Sequence, residues 1–178
     1  MVERMTVNGR AFSVICLLGK GKGGYSWQVT DGQREYVLKQ IHHEPCDYYQ
    51  FGDKMASELQ DYQRLTKIGI PMPELLDADP EQERILKEYI PGETIYKLVQ
   101  EDRMEEDFFR QMEEMCRVLY AENMNIDYFP TNFVVNRGKL YYVDYECNDY
   151  QTQWDFENWG IKYWRKTPEF LEYAADHR

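Results

Sequence analysis

The sequence predicts an α+β chain in two halves: residues 1–90 as a five-stranded antiparallel sheet with one helix, and residues 91–178 as a smaller, mainly helical half. Three observations predict this. Runs of β-forming residues separated by turn residues fill the first half, apart from one stretch at helical period. Pro91-Gly92 breaks the chain. Beyond the break, helical stripes dominate and only one short hairpin pattern remains.

Phe12, Val14 and Ile15 lead through Leu17-Leu18 into a run of glycines, and Ser26-Trp27-Gln28-Val29-Thr30 follows as a second strand. Asp31-Gly32 is a hairpin signal, and Tyr36 to Ile41 is the next strand, so the chain opens with a three-strand meander. From Lys54 to Lys67 the apolar residues Met55, Leu59, Tyr62 and Leu65 recur at helical spacing. Gly69 stops that helix, and Pro71 and Pro73 keep the next segment extended. Leu75-Leu76 and Arg84 to Tyr89 supply two more strands, joined by a turn at Asp79-Pro80.

In the second half, Thr94 caps a helix from Ile95 to about Gln100. A longer helix runs from Glu105 to Glu122, with Phe108, Phe109, Met112, Met115, Cys116 and Leu119 inward. A polar loop covers Asn123 to Thr131. Phe133-Val134-Val135 and Leu140-Tyr141-Tyr142-Val143 form a hairpin around Asn136 to Lys139. The tail is helical and aromatic, and Thr167-Pro168-Glu169 has the form of a helix start.

The net charge of −11 disfavours non-specific nucleic-acid binding, because phosphates would be repelled. It suits a cationic substrate or basic partner, and it also serves solubility. Cys16, Cys46, Cys116 and Cys147 are widely spaced, which indicates neither a zinc site nor a disulfide framework but free buried thiols in a reducing cytosol. The first residues lack the apolar run of a signal peptide, and no stretch has the length to span a membrane. A soluble, cytoplasmic protein is expected.

Four features carry chemistry. Leu18-Gly19-Lys20-Gly21-Lys22-Gly23-Gly24 fits a phosphate-binding glycine pattern between two strands. In a dinucleotide-binding unit a helix would follow, so that reading is disfavoured. Glycines let backbone N–H groups approach a phosphate, and a merely flexible hairpin is the alternative. Lys39 lies inside an apolar strand and needs an anion or water. Glu58 on the following helix qualifies, and an outward edge-strand lysine is the alternative. Asp127 and Asn132 share a loop pinned by Pro130. Asp144 ends the strand Leu140-Tyr141-Tyr142-Val143. Asn132 and Asp144 offer hard oxygens that suit Mg²⁺, and turn formation is the alternative for each.

Taken in order, glycine hairpin, strand lysine, helix glutamate, D-x-x-x-x-N loop and strand-end aspartate resemble the protein-kinase-like superfamily. Gly69-Ile70-Pro71-Met72-Pro73, Glu88-Tyr89-Ile90-Pro91-Gly92 and Asp144-Tyr145-Glu146 look most like the aminoglycoside and choline phosphotransferase branch, with part of the pattern shared by compact atypical kinases. The resemblance implies a two-lobed fold with a truncated, mainly helical C-terminal lobe, binding ATP and Mg²⁺ between the lobes. It implies that Gly19, Gly21 and Gly24 cover the phosphates, and that Lys39, paired with Glu58, holds them. Glu88 and Ile90 belong to the hinge that reads adenine. Asp127 orients and deprotonates an acceptor hydroxyl, and Asn132 and Asp144 hold Mg²⁺. Asn125 stands where the family has His, and Phe129 where it has Lys or His. Asn125 in place of that His, together with the short second lobe, supports an alternative: a nucleotide-binding or scaffold module without turnover.

The acceptor is not named by these motifs. Glu146, Asp149, Asp155 and Glu157 follow Asp144 and would draw a cationic acceptor if they border its site. Solvated surface is the competing account, and Asp155 also suits a helix cap. Trp154, Phe156, Trp159, Tyr163 and Trp164 either line a substrate pocket or close the core.

Overall fold

The computed structural model describes residues 3–21, 23–43 and 53–178; Lys22 of the glycine run and Cys46 lie outside them. The chain divides into two compact units, Met1–Gln60 with Pro73–Tyr89, and Asp61–Met72 with Ile90–Arg178.

The first unit is built on β1 (Arg4–Val7), β2 (Arg10–Lys20), β3 (Gly24–Thr30), β4 (Glu35–Ile41), β5 (Leu75–Asp79) and β6 (Arg84–Glu88). They form one antiparallel sheet of six strands, ordered β1-β2-β3-β4-β6-β5. Alternation along β4 sets the two faces. Tyr36 and Leu38 pack with Met5, Val7, Phe12, Val29 and Leu86 on one side. Ile41 packs with Ile85 and Met55 on the other, and Met55 comes from α1 (Lys54–Lys67), the helix whose stripe is legible in the sequence. The edge strands are tied together. The Asn8 amide donates from its backbone to Asp79 Oδ2 (2.8 Å) and from its side chain to Asp77 Oδ1 and the Ala78 carbonyl (2.9 Å each).

The second unit has α2 (Ile95–Gln100), α3 (Glu106–Ala121) and α4 (Pro168–Asp176), together with five short strands. β7 (Glu93–Thr94), β9 (Phe133–Asn136) and β10 (Lys139–Tyr142) form one small sheet in the order β10-β9-β7. β8 (Met124–Ile126) and β11 (Cys147–Asp149) form another. Its core joins Ile95, Phe108, Met112, Leu119, Phe133, Tyr142, Phe156 and Trp164.

This overturns the expected kinase-like architecture, a five-stranded sheet with one helix followed by a truncated, mainly helical lobe. The first sheet has six strands, because Asn8 (φ 48°) and Gly9 (φ 83°) make a tight left-handed turn and add β1. The second unit carries two sheets where one hairpin was expected. Met124–Ile126, read as polar loop, is a buried strand paired with Cys147–Asp149. Before Thr167 the tail has two short 3-10 turns, Thr152–Trp154 and Gly160–Tyr163, where a helix was expected.

Among the described residues the free thiols are Cys16, which is exposed rather than buried as expected, and the buried Cys116 and Cys147. Burial pushes both buried thiols up to about 12. No described helix is long and apolar enough to cross a membrane.

Gly92 is where β7 approaches β9. Its φ is 146°, and a Cβ there would lie 2.1 Å from the Val135 carbonyl oxygen. Gly92→Ala is therefore expected to cost about 3 kcal/mol or more, combining backbone strain with a clash against main chain. An unchanged denaturation midpoint in that variant would contradict this reading of the turn.

Candidate functional site

In the first unit the glycine run closes the β2–β3 hairpin. Gly21 N–H donates to the Gly24 carbonyl (2.9 Å), and His42 N–H donates to the Gly23 carbonyl (3.0 Å). The three glycines differ in what demands them. A Cβ on Gly19 or Gly21 would meet nothing, so packing does not require glycine there. A Cβ on Gly24 would lie 2.5 Å from the Gln40 carbonyl oxygen and 3.1 Å from Lys39 Cε. Gly24 is thus a packing glycine, and it lets the Lys39 stem run beside the hairpin.

Lys39 pairs in register with Ser26 on one side and Ile85 on the other, on the face covered by α1. Its Nζ donates to Glu58 Oε1, and the two side chains are 15% and 9% exposed. Glu58 Oε2 is buried and has no hydrogen-bond partner among the described residues. A buried carboxylate oxygen without a donor is costly, and such groups concentrate where a fold serves something besides stability.

At the end of β6, Glu88 is engaged locally: its N–H donates to the Glu74 carbonyl (2.9 Å), and its Oε1 accepts from Glu74 N–H (3.1 Å). Ile90 is buried. Burial raises the Tyr89 hydroxyl above the usual phenol range, with Glu35 and Cys16 adding to it.

In the second unit, the segment between β8 and β9 brings the other candidates together. Asn132 Nδ2 donates to the Asp127 carbonyl (3.3 Å). Asn132 carbonyl accepts from Val143 N–H (2.9 Å), linking the loop to the residue before Asp144. Asp127 Oδ1 accepts from Phe129 N–H (3.1 Å), and Asp144 Oδ1 from Tyr145 N–H (2.8 Å). Both carboxylates are half-buried.

Tyr142, missed by sequence reasoning, organises this region. Its fully buried hydroxyl accepts from Asp127 N–H (3.3 Å) and donates to the Glu146 carbonyl (2.8 Å). Burial holds that hydroxyl protonated far above the phenol range, and Asp144, Asp127 and Glu146 raise it further. The available signal was a tyrosine in an otherwise apolar strand, whose hydroxyl must find a partner when buried. Tyr142→Phe should cost about 1–3 kcal/mol, because it removes two hydrogen bonds of a fully buried hydroxyl, one from the Asp127 N–H and one to the Glu146 carbonyl. Equal stability of the two proteins in urea would show the hydroxyl to be dispensable.

The residues that depart from the resembled pattern have structural partners. Asn125 is buried; its Nδ2 donates to the Gln151 carbonyl (3.0 Å), and its Oδ1 accepts from the Tyr128 hydroxyl (3.1 Å). The Phe129 ring lies against Tyr173 (4.6 Å), Tyr163 (5.1 Å) and Trp159 (6.4 Å). Gly160 lets the tail approach this loop, since a Cβ there would lie 2.6 Å from Tyr128 Cβ. Asp155 caps no helix, because the residues after it form a turn; its Oδ1 accepts from Asn158 N–H (2.8 Å) and closes that turn, and its Oδ2 accepts from the Tyr150 hydroxyl (2.7 Å).

Among the described residues no group of three or more His, Cys, Asp or Glu is arranged to hold a metal. Asn132 and Asp144 amount to two oxygen donors of the kind that Mg²⁺ takes alongside water and substrate phosphates. Compared with known proteins, the chain matches no family model and no curated sequence.

Proposed function

We propose that the protein is an ATP-dependent phosphotransferase acting on a hydroxyl acceptor. The observation that carries this reading is the Lys39–Glu58 ion pair, whose lysine stem runs beside Gly24 and which leaves one buried carboxylate oxygen without a donor among the described residues. An ion pair kept only for packing would be replaceable by apolar residues, whereas a lysine held in place by a carboxylate suits the phosphates of a nucleotide. The second unit supplies what the chemistry needs. Asp127 takes the proton from the acceptor hydroxyl as its oxygen bonds to the γ-phosphorus and the bond to the bridging oxygen breaks, releasing ADP. Tyr142 and Phe129 N–H hold Asp127 in orientation. Asn132 and Asp144 would hold Mg²⁺, which supplies charge neutralisation on the phosphates. The free thiols Cys16, Cys116 and Cys147 favour a cytoplasmic setting for this reading.

A second reading, nucleotide binding without turnover, is favoured by Phe129. Its ring is packed among Trp159, Tyr163 and Tyr173, where a cation would assist transfer in the resembled families. One experiment separates the two. The full chain is expected to gain thermal stability with ATP only when Mg²⁺ is present, and to hydrolyse it slowly. Asp127→Asn is expected to lower hydrolysis by about a hundredfold or more while keeping the stability gain. A gain without any hydrolysis selects the second reading, and no gain with any Mg·nucleotide removes both.

A further inference from the structure

Lys87 is a buried charge that the chemistry above does not use. It is 3% exposed, in a strand where Ile85 and Leu86 are buried with it. A methionine or leucine would fill the same space without burying an ammonium, so the charge needs a reason. Its place in the sheet supplies one. Gly19, Ser26, Lys39 and Ile85 stand opposite one another across β2, β3, β4 and β6. Cys16, Gln28, Val37 and Lys87 form the next such row on the same four strands. Ser26 and Gln28, Lys39 and Val37, and Ile85 and Lys87 are two residues apart, so their side chains share one face. All belong to the first unit. Lys87 therefore lies on the face of Lys39, one row farther from the glycine hairpin.

The middle of this second row is open. Val37 is an apolar residue in an inner strand, yet it is only half-buried, and among the described residues it belongs to neither apolar cluster of the sheet. On the other side of Lys39 the next row is Gly24 and Ile41, and Ile41 is packed with Met55 and Ile85. A nucleotide with its phosphates at Lys39 thus has one direction in which to lay its base: over Val37, with Lys87 at its edge.

We propose that Lys87 reads that base, and that the base is a 6-oxopurine, so that GTP binds in preference to ATP. The inference rests on the phosphotransferase reading and names its nucleotide. A lysine offers donors only. It suits the O6 and N7 acceptors of guanine and opposes the N6 amino group that adenine carries in place of O6. Lys87 has an interaction within the protein, but an ammonium carries three N–H donors, so one interaction does not exhaust it. The side chain in this row suited to adenine is Gln28, because an amide can accept from N6 while donating to N7. Its Oε1 already accepts from the Cys16 thiol (3.4 Å). The row thus offers donors to a base, and its amide acceptor is engaged.

The test is calorimetric titration of the full chain with the Mg²⁺ complexes of GTP, ITP and ATP. ITP carries the O6 and N7 of GTP without its 2-amino group, which isolates the atoms assigned to Lys87. GTP and ITP are expected to bind about tenfold more tightly than ATP, and Lys87→Gln, which adds an acceptor, to reverse that order. The comparison in the original protein needs no variant, so it decides even if Lys87→Gln does not fold. ATP binding as tightly as both 6-oxopurine nucleotides overturns the proposal. So does ITP behaving like ATP, since the preference would then lie with the 2-amino group. A preference unmoved by Lys87→Gln overturns it as well, and an equal loss for all three nucleotides would make Lys87 a phosphate ligand instead. In each of these cases the phosphotransferase reading stands. Binding of none of the three to the original protein removes that reading and this inference together.

Discussion

Lys39→Met is expected to destabilise the protein by about 3 kcal/mol, and the double change Lys39→Met with Glu58→Leu to recover most of that loss. With Lys39 gone, Glu58 keeps a carboxylate that is nine-tenths buried, with one oxygen already lacking a donor and the other newly deprived of its own. It must take up a proton or drag α1 toward water. Glu58→Gln should cost less, about 1–2 kcal/mol, because the lysine is the more exposed partner and a neutral amide can still accept from it. Removing both charges leaves an apolar pair facing Ile41, Met55 and Ile85, a surface able to absorb it. Function should not follow stability: all three variants are expected to lose the Mg·ATP-dependent gain in melting temperature, including the one that folds as well as the original. A double variant that still binds nucleotide would show that Lys39 serves the fold alone. Three variants as stable as the original would mean that the pair is not effectively buried.

The first unit was legible where a strand or helix is long enough to show a period. Met55, Leu59, Tyr62 and Leu65 delimit α1 as Lys54–Lys67, and the strands around Asp31-Gly32 follow from the turn and the alternation beside it. The same turn chemistry at Asn8-Gly9 was readable too, and overlooking it left out β1. The second unit was harder for a physical reason. Strands of two or three residues, such as Glu93–Thr94, Met124–Ile126 and Cys147–Asp149, have no periodicity to detect. They exist because distant segments pair, so their signal lies in tertiary context. In the site, a charge inside an apolar strand drew attention to Lys39, because an ion in such a place needs a reason, and Asp144 stood out by its place at a strand end. Tyr142 escaped because tyrosine is an ordinary core residue; only the buried hydroxyl between Asp127 and Glu146 reveals its role. The aromatic tail could not be sorted into core and surface from its sequence, since Trp159 and Trp164 look alike until Trp164 is found fully buried with its indole N–H on the Tyr128 carbonyl and Trp159 only half-buried.

Asp144→Ala is expected to weaken Mg²⁺-dependent nucleotide binding by about a hundredfold or more while leaving the fold as stable as before. The two halves of this expectation come from different features. Asp144 lies two residues past β10, and its bond to Tyr145 N–H is to its immediate neighbour, so its loss removes a local turn contact. Electrostatics favours the variant: Asp144, Asp127 and Glu146 crowd the Tyr142 hydroxyl, and removing one carboxylate relieves repulsion among the others. The affinity loss follows because Asn132 alone would remain as an oxygen donor from this pair, and a single neutral amide is a poor Mg²⁺ ligand. Asp144→Asn separates shape from charge: it keeps the acceptor for Tyr145 N–H and should still lose most of the metal-dependent affinity. Calorimetry with Mg·ATP, paired with urea unfolding of the same samples, checks both halves. Unchanged affinity in Asp144→Ala sinks the metal assignment. A loss of stability above about 2 kcal/mol would instead make Asp144 a structural residue whose carboxylate the fold itself requires.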